Sequence, residues 1–237
     1  MKIKGRGHIV AYKTSDLKQW KFEGVCLEKS FHLSYPNVFE YDGDVYMLPE
    51  TSEANEVALY KAKDFPHNWE KVCVLLSGEP YRDSSVVNHQ GLWYLFTNSS
   101  DDKLSLFVSK NLLSGNWKEH PCSPVFSGLK GARGGGSVFK DGHNLYRMGQ
   151  DDEKSYGNNV AVYRIDLLTE YDYHESLVVP ELFDHKNKRY QFGGHHYCRV
   201  KFKNETFIAT DGIIKAQFVN RIRLYLKMLA YNIKNRV

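Results

Sequence analysis

No stretch of this chain is long and apolar enough to span a bilayer, and its first residues, Met1-Lys2-Ile3-Lys4-Gly5-Arg6, lack the apolar core of a secretion signal. For a chain that starts where this one does, these two absences point to a cytosolic location. Cysteine is scarce, four in 237 residues. Three of them, Cys26, Cys73 and Cys122, follow Trp20, Trp69 and Trp117 by a few residues in successive repeats. Equivalent positions of neighbouring repeats stand too far apart to bridge, so the cysteines are expected as buried thiols rather than disulfides. Neither sign of charge dominates: the formal net charge is +4, and six basic residues with no acidic ones fall in the last 25. The remaining body is near neutral, which argues against a nucleic-acid binder. There is no P-loop, no dinucleotide-binding GxGxxG and no GxSxG nucleophile elbow, and Gly134-Gly135-Gly136 fits none of them. With no CxxC pair and no helical histidine spacing, neither a metal nor a cofactor is expected.

Aromatic residues and strand signals are what the chain has in quantity. Sixteen Tyr, 13 Phe and 4 Trp, within 42% hydrophobic residues, are enough for one large β core, and such rings also stack on the apolar faces of sugars. The phrase Tyr41-Asp42-Gly43-Asp44-Val45-Tyr46 reads as strand, tight turn, strand, because glycine accepts the positive φ that a two-residue hairpin requires. It returns at Asn88 to Tyr94, at Lys140 to Tyr146 and, weakened, at Lys203 to Phe207. A second phrase, alternating apolar residues followed by a Trp, recurs out of step with it from Ile9, Val57 and Leu104, with a fourth copy from Asn159. Two inner and two outer strands per repeat of about 48 residues describe a propeller blade.

Inner pairs are expected at 34–50, 82–98, 132–150 and 194–211, with residues 7–30 giving only the outer pair of an earlier blade. The sum is four whole or nearly whole blades and half of another. The expected fold is therefore all-β, a five-bladed β-propeller over residues 1–212 whose first blade is incomplete, the missing half lying before Met1, rebuilt by the C-terminus or supplied by a partner. Residues 213–237 read as a basic amphipathic helix. Phe218, Ile222, Leu226, Leu229 and Ile233 form its apolar face, and it either packs on the propeller or lies on the inner face of a membrane.

Propeller inner strands start near the axis, so residues far apart in sequence converge there. These starts are polar: Tyr35 and Asn37, Arg82 and Asp83, Arg133, and His195-His196. The second strands end in Glu50, in Arg147 with Gln150-Asp151, and in Asp211. Buried without a ligand, such a set is costly. Asp83, beside Arg82, is expected to stay ionised and to serve as a base or hydroxyl acceptor, with Glu50 as the second carboxylate a glycosidase would need. His195 and His196, adjacent in an expected strand, point to opposite faces, so one of them faces the channel. Arg133, Arg82 and Arg147 could grip phosphate or carboxylate. The glycines after Arg133 mark a close backbone approach, or tight packing alone.

Taken together, Ser34-Tyr35-Pro36 through Pro49-Glu50, Tyr146-Arg147 with Gln150-Asp151, Tyr156-Gly157, and His195-His196 with Asp211-Gly212 resemble the propeller domain of glucosamine inositolphosphorylceramide transferases and their bacterial relatives. That group lies in the wider five-bladed superfamily of family 43 glycoside hydrolases. The resemblance covers about residues 7–212 and implies a glycan or nucleotide-sugar ligand in the central channel, in glycan assembly. It does not carry hydrolysis across. The hydrolases use a first-blade Asp as base, a later Asp to tune and a Glu as acid. Here the first inner strand is absent, Asp83 matches the tuning Asp, and Ala132-Arg133-Gly134 stands where the acid is sought. Three readings follow: a sugar-binding propeller in glycosyl transfer, a glycosidase using Asp83 and Glu50, and a scaffold without a small ligand.

Overall fold

The structure, a computed structural model, describes residues 6–202 and 204–213. The expected C-terminal helix lies outside the described residues. Among those described, the chain is all-β, with no α-helix and one 3-10 turn at Ser52–Ala54.

Five antiparallel sheets follow one another in chain order. The first pairs β1 (Ile9–Lys13) with β2 (Lys21–Leu27). The second runs β3 (Ser34–Tyr41), β4 (Asp44–Glu50), β5 (Glu56–Asp64), β6 (Asn68–Ser77). The third runs β7 (Arg82–His89), β8 (Leu92–Ser100), β9 (Lys103–Ser109), with its outer edge split between β10 (Lys118–Glu119) and β11 (Phe126–Ser127). Pro121 and Pro124 lie between those two short strands, where a missing N–H breaks the ladder. In the fourth, β12 (Lys130–Gly134) and β13 (Phe139–Asp141) share the inner position beside β14 (Asn144–Asp151), followed by β15 (Asn159–Leu168) and β16 (Tyr173–Val179). The fifth pairs β17 (Tyr197–Phe202) with β18 (Glu205–Thr210). Three sheets therefore have four strand positions, whereas the first and last are pairs. Among the described residues the last inner pair has no outer strands beside it, where a nearly whole blade is expected.

The hairpins form for the expected reason. Asp42-Gly43 and Gln90-Gly91 all have positive φ, between +51° and +82°, the pattern of a type I′ turn. In the fourth sheet the turn shifts by one residue: Asp141 pairs with Asn144, and Gly142 (φ +60°) takes the first central position.

Apolar residues between consecutive sheets hold the array together. Ile9, Cys26 and Leu27 pack with Met47, Ala58, Tyr60 and Trp69. Leu48 and Leu59 pack with Trp93 and Leu95, Tyr94 and Leu106 with Leu145 and Ile165, and Met148 and Val160 with Phe183 and the Tyr197 ring. Burying each large side chain contributes roughly 1.5–3 kcal/mol. All four cysteines are free as expected, but only Cys26 is buried; Cys122 is exposed, on the polar loop before β11.

Candidate functional site

Register arithmetic shows why the inner strands converge on polar groups. Phe39, Val87, Phe139 and Val200 pair with Tyr46, Tyr94, Tyr146 and Phe207, at equivalent places in their sheets. Four residues before the first set stand Tyr35, Asp83, Gly135 and His196; four after the second stand Glu50, Asn98, Gln150 and Asp211. Tyr35 and Asp83 both have φ +47° and sit in matching register slips, Ser34 to Asn37 and Arg82 to Ser85. A β-bulge of this kind re-aims a side chain at the cost of a strained backbone.

Hydrogen bonds stitch the convergence point. The Asp83 N–H donates to Glu50 Oε2 (3.4 Å), Val138 N–H to Ser85 Oγ (2.8 Å), and Tyr197 N–H to Gly135 O (2.8 Å), joining the second sheet to the third, the third to the fourth and the fourth to the fifth. Gly136 N–H to Tyr35 Oη and Ser137 Oγ to Asn37 Oδ1, both 2.8 Å, cross from the fourth sheet to the second. The inner strands of the second to fifth sheets thus start close together, and the site is a pocket beside that meeting point. A Cβ on Gly134 would stand 2.6 Å from Asp83 O, and one on Gly136 (φ +145°) 1.9 Å from Tyr197 O. Close packing of inner strands accounts for these glycines.

The pocket, about 540 Å³, is lined by Glu50, Asp83, Arg133, Gln150, His195, His196, Tyr35 and Tyr156, with His32, Ser34 and Pro36 at its side. Arg133 Nε donates to Asp83 Oδ2 at 2.6 Å, and its guanidinium lies 5.1 Å from the Tyr156 ring centre. Gln150 Nε2 donates to Gly134 O (2.6 Å) and reaches Asp83 Oδ2 (3.4 Å). Burial pushes the Asp83 carboxyl up, to about 7; Arg133 pulls against this, and Glu50, hydrogen-bonded to it, pushes the same way. The expectation that an arginine keeps Asp83 ionised is corrected on two counts. Arg82 turns away to Asp101 (2.6 Å), and Arg133, which does pair with Asp83, is outweighed by burial and by Glu50.

His195 Nδ1 bonds Asp211 Oδ2, while the N–H groups of His195 and His196 both donate to Asp211 Oδ1, at 2.9 and 2.8 Å. The bond to Asp211 raises the His195 pKa. Burial opposes ionisation of Asp211, but the hydrogen bonds from His195 and His196 outweigh it and bring the carboxyl down to about 2. Burial lowers His196, whose ring meets Tyr35 edge-on at 5.0 Å. Both histidines line the pocket, against the expectation that strand alternation allows only one. They precede β17 in a non-strand segment shaped by Asp211, so a period of two does not apply.

Four of the expected residues stand elsewhere. Asn37 is buried on Ser137, and Arg82 is on Asp101. Arg147, expected to grip a ligand, is buried, bonded to Glu175 and to Gly131 O and set over the Tyr163 ring at 4.4 Å, so it ties β14 to β16. Asp151 receives Asn158 Nδ2 and the Glu153 N–H, with Lys130 at 3.5 Å. Tyr156, absent from the expected site, comes from the loop between β14 and β15. That loop leaves the axis end of β14, a signal available from the repeat.

Residues 2–212 match the family described as "Glucosamine inositolphosphorylceramide transferase 1, N-terminal". The chain belongs to this family. Glucosamine inositolphosphorylceramide transferase 1 of Oryza sativa subsp. japonica is 37% identical over 190 residues, 76% of this chain and 25% of that protein. The Arabidopsis thaliana protein of the same name is 32% identical over 241 residues, 95% of this chain and 31% of its own length. The chain thus spans about a quarter to a third of the curated relatives it matches. Among solved structures, an α-L-arabinofuranosidase of family 43 from Clostridium thermocellum superposes with TM-score 0.61 at 13% identity, covering 87% of this chain and 72% of that one. An α-L-arabinanase from Cellvibrio cellulosa gives 0.58 at 16%, covering 85% and 79%. At such identities the likeness shows the fold, a propeller of the family 43 glycoside hydrolase kind.

Proposed function

We propose that this family member is the sugar-binding propeller of a glycosyl-transferring protein in glycan or glycosphingolipid assembly, and that the axial pocket holds a sugar. The ring is read as five-bladed, with β1–β2 and β17–β18 each standing for half a blade. The observation that carries the proposal is the convergence of Glu50, Asp83, Arg133, Gln150, His195 and Tyr156 on one pocket from separate sheets. Carboxylates and amides match vicinal hydroxyls, and a half-exposed tyrosine offers a stacking face. The names of the relatives, which specify glucosamine and inositolphosphorylceramide, agree with a sugar ligand.

The glycosidase reading fares worse on geometry. Its two carboxyl groups flank the scissile bond, about 5 to about 9.5 Å apart. Here the Asp83 N–H donates to Glu50 Oε2 at 3.4 Å, so the two side chains stand side by side on one wall of the pocket and do not face each other across it.

Titrating the protein with monosaccharides and nucleotide sugars, followed by NMR, tests the proposal. Saturable binding is expected that weakens at least tenfold in Tyr156→Ala, a change at a half-exposed site, and is lost in Asp83→Ala. Aryl glycosides should go unhydrolysed. A protein that binds no sugar, or one with turnover abolished by Glu50→Gln, sinks this reading, the second outcome in favour of a hydrolase.

A further inference from the structure

The outer hairpins of the first and second sheets are copies of one another down to their irregularities. Val10 pairs with Val25 and Tyr12 with Phe22, as Ala58 pairs with Val74 and Tyr60 with Lys71. Register slips fall at Ile9/Val10 and Ala11/Tyr12, and again at Val57/Ala58 and Leu59/Tyr60. Trp20 precedes the partner of Lys13, and Trp69 the partner of Lys61. Their surroundings differ. Tyr60 and Trp69 are 1% and 9% exposed, packed with Ile9, Cys26 and Leu27 of the first sheet, whereas Tyr12 and Trp20 are 56% and 57% exposed. The outward face of the first sheet, with Val10, Tyr12, Phe22 and Val25, thus repeats the pattern of a face that another sheet covers.

The fifth sheet has the complementary feature, since among the described residues β18 pairs with β17 alone. β4, β8 and β14 each pair on their outer side with a strand bearing one phrase, apolar, any, apolar, aromatic: Val57 to Tyr60, Leu104 to Phe107, Val160 to Tyr163. Ile9 to Tyr12 has the same form. The aromatic residue lies opposite Met47, Leu95 and Arg147, each one past Tyr46, Tyr94 and Tyr146. A fifth copy of the phrase, Ile222-Arg223-Leu224-Tyr225, follows β18 in the sequence. Tyr225 comes 14 residues after Asp211, and Tyr163 comes 13 after Gln150, so the fold already uses a connection of this length.

We propose that the segment from Ile222 to Leu226 is the third strand of the fifth sheet, lying antiparallel beside β18 and covering the outward face of the first sheet. Tyr225 then stands opposite Ile208, the residue one past Phe207. This reading replaces the helix expected over 213–237. A short apolar run satisfies a period of two as well as one of 3.6, and at a period of two Ile222, Leu224 and Leu226 share one face. That face stands towards the first sheet as Ile9 and Ala11 stand towards the second, and it meets Val10, Tyr12, Phe22 and Val25. The edge of β18 gains a partner, which an edge strand otherwise seeks from another chain. The same strand anchors the pair β17–β18, whose axis end carries His195, His196 and Asp211 into the pocket. The inference rests on reading the ring as five-bladed and is independent of what the pocket holds.

The test places paired cysteines in the whole chain, oxidises it and maps the links by mass spectrometry, each variant first checked for folding by circular dichroism. Opposed strand residues have Cα atoms about 4.5–5.5 Å apart, within reach of a disulfide. Ile208→Cys/Tyr225→Cys should therefore cross-link within one chain. Ile208→Cys/Leu229→Cys, displaced by about 13 Å along a strand, should not. A helix laid on β18 turns positions 225 and 229 to the same side, so links in both pairs, or in neither, overturn the inference. A 208–225 link that joins two chains overturns it too, by giving the strand to a second copy. A second measurement uses Trp20, the exposed one of the four tryptophans. Leu224→Asp should roughly double the quenching of tryptophan fluorescence by acrylamide, because it uncovers the first sheet; unchanged quenching counts against the proposal. None of these outcomes bears on the sugar titration, so the two readings fail separately.

Discussion

Asp83 is held where a carboxylate is uncomfortable, buried against Glu50 with Arg133 as its one cationic bond partner. Its folded pKa stands above its unfolded value, so between about pH 4 and about 7 the folded protein binds more protons than the unfolded chain, and stability falls as pH rises through that window. Asp83→Asn should flatten this slope, measured as urea midpoints from pH 4 to pH 8. Arg133→Gln removes the counter-charge from Asp83 and should cost about 3–5 kcal/mol at pH 8, with a smaller loss at pH 5, where Asp83 is protonated. An equal loss at both pH values would mean that Arg133 acts by packing alone. The His195–Asp211 pair has the opposite character. His195 is raised, so its contribution is complete below about 6.5 and fades as pH climbs through the raised value; Asp211, lowered to about 2, loses its contribution as pH falls from about 4 through 2. In Asp211→Asn, the His195 pKa should drop, read directly from imidazole NMR titration.

At the scale of elements, the bulged starts of β3 and β7 and the glycine break between β12 and β13 are one device used three times. Each interrupts the inner strand where it reaches the axis, placing Tyr35, Asp83 or Gly135 at the centre. Gly136→Ala tests how much the array depends on it. An added Cβ meets Tyr197 O at 1.9 Å from a φ of +145°, so the fifth sheet must shift. The expected result is a loss of more than about 2 kcal/mol, with faster hydrogen exchange concentrated in β17 and β18. Gly43→Ala, at a turn with open space around it, should cost only the strain of positive φ, about 1 kcal/mol. The hairpin turns and the alternating strands were legible because they depend on near neighbours. The bulges were not, since the left-handed residues there are Tyr and Asp, and neighbouring sheets hold them in place.

Across the whole molecule, each four-position sheet packs on two neighbours, while β1–β2 and β17–β18 are the ends of the described array. The outer face of the first sheet shows it: Val10, Tyr12, Phe22 and Val25 are all exposed, whereas Ile9, Cys26 and Leu27 are buried against the second sheet. Hydrogen exchange should be slowest in β4, β8 and β14, inside the three larger sheets, and fastest in the two terminal pairs; uniform protection would contradict this stacked arrangement. The amino-acid sequence by itself determined the all-β class, the positions of the inner pairs and which polar residues stand at their axis ends, because turn chemistry and a period of two are local. Only the tertiary structure decided which of those residues share a pocket and which arginine meets which acid. Arg133 finds Asp83 fifty residues away, and Arg147 finds Glu175 on a different strand. Charge pairing follows distance in space, and no pattern along the chain encodes that distance.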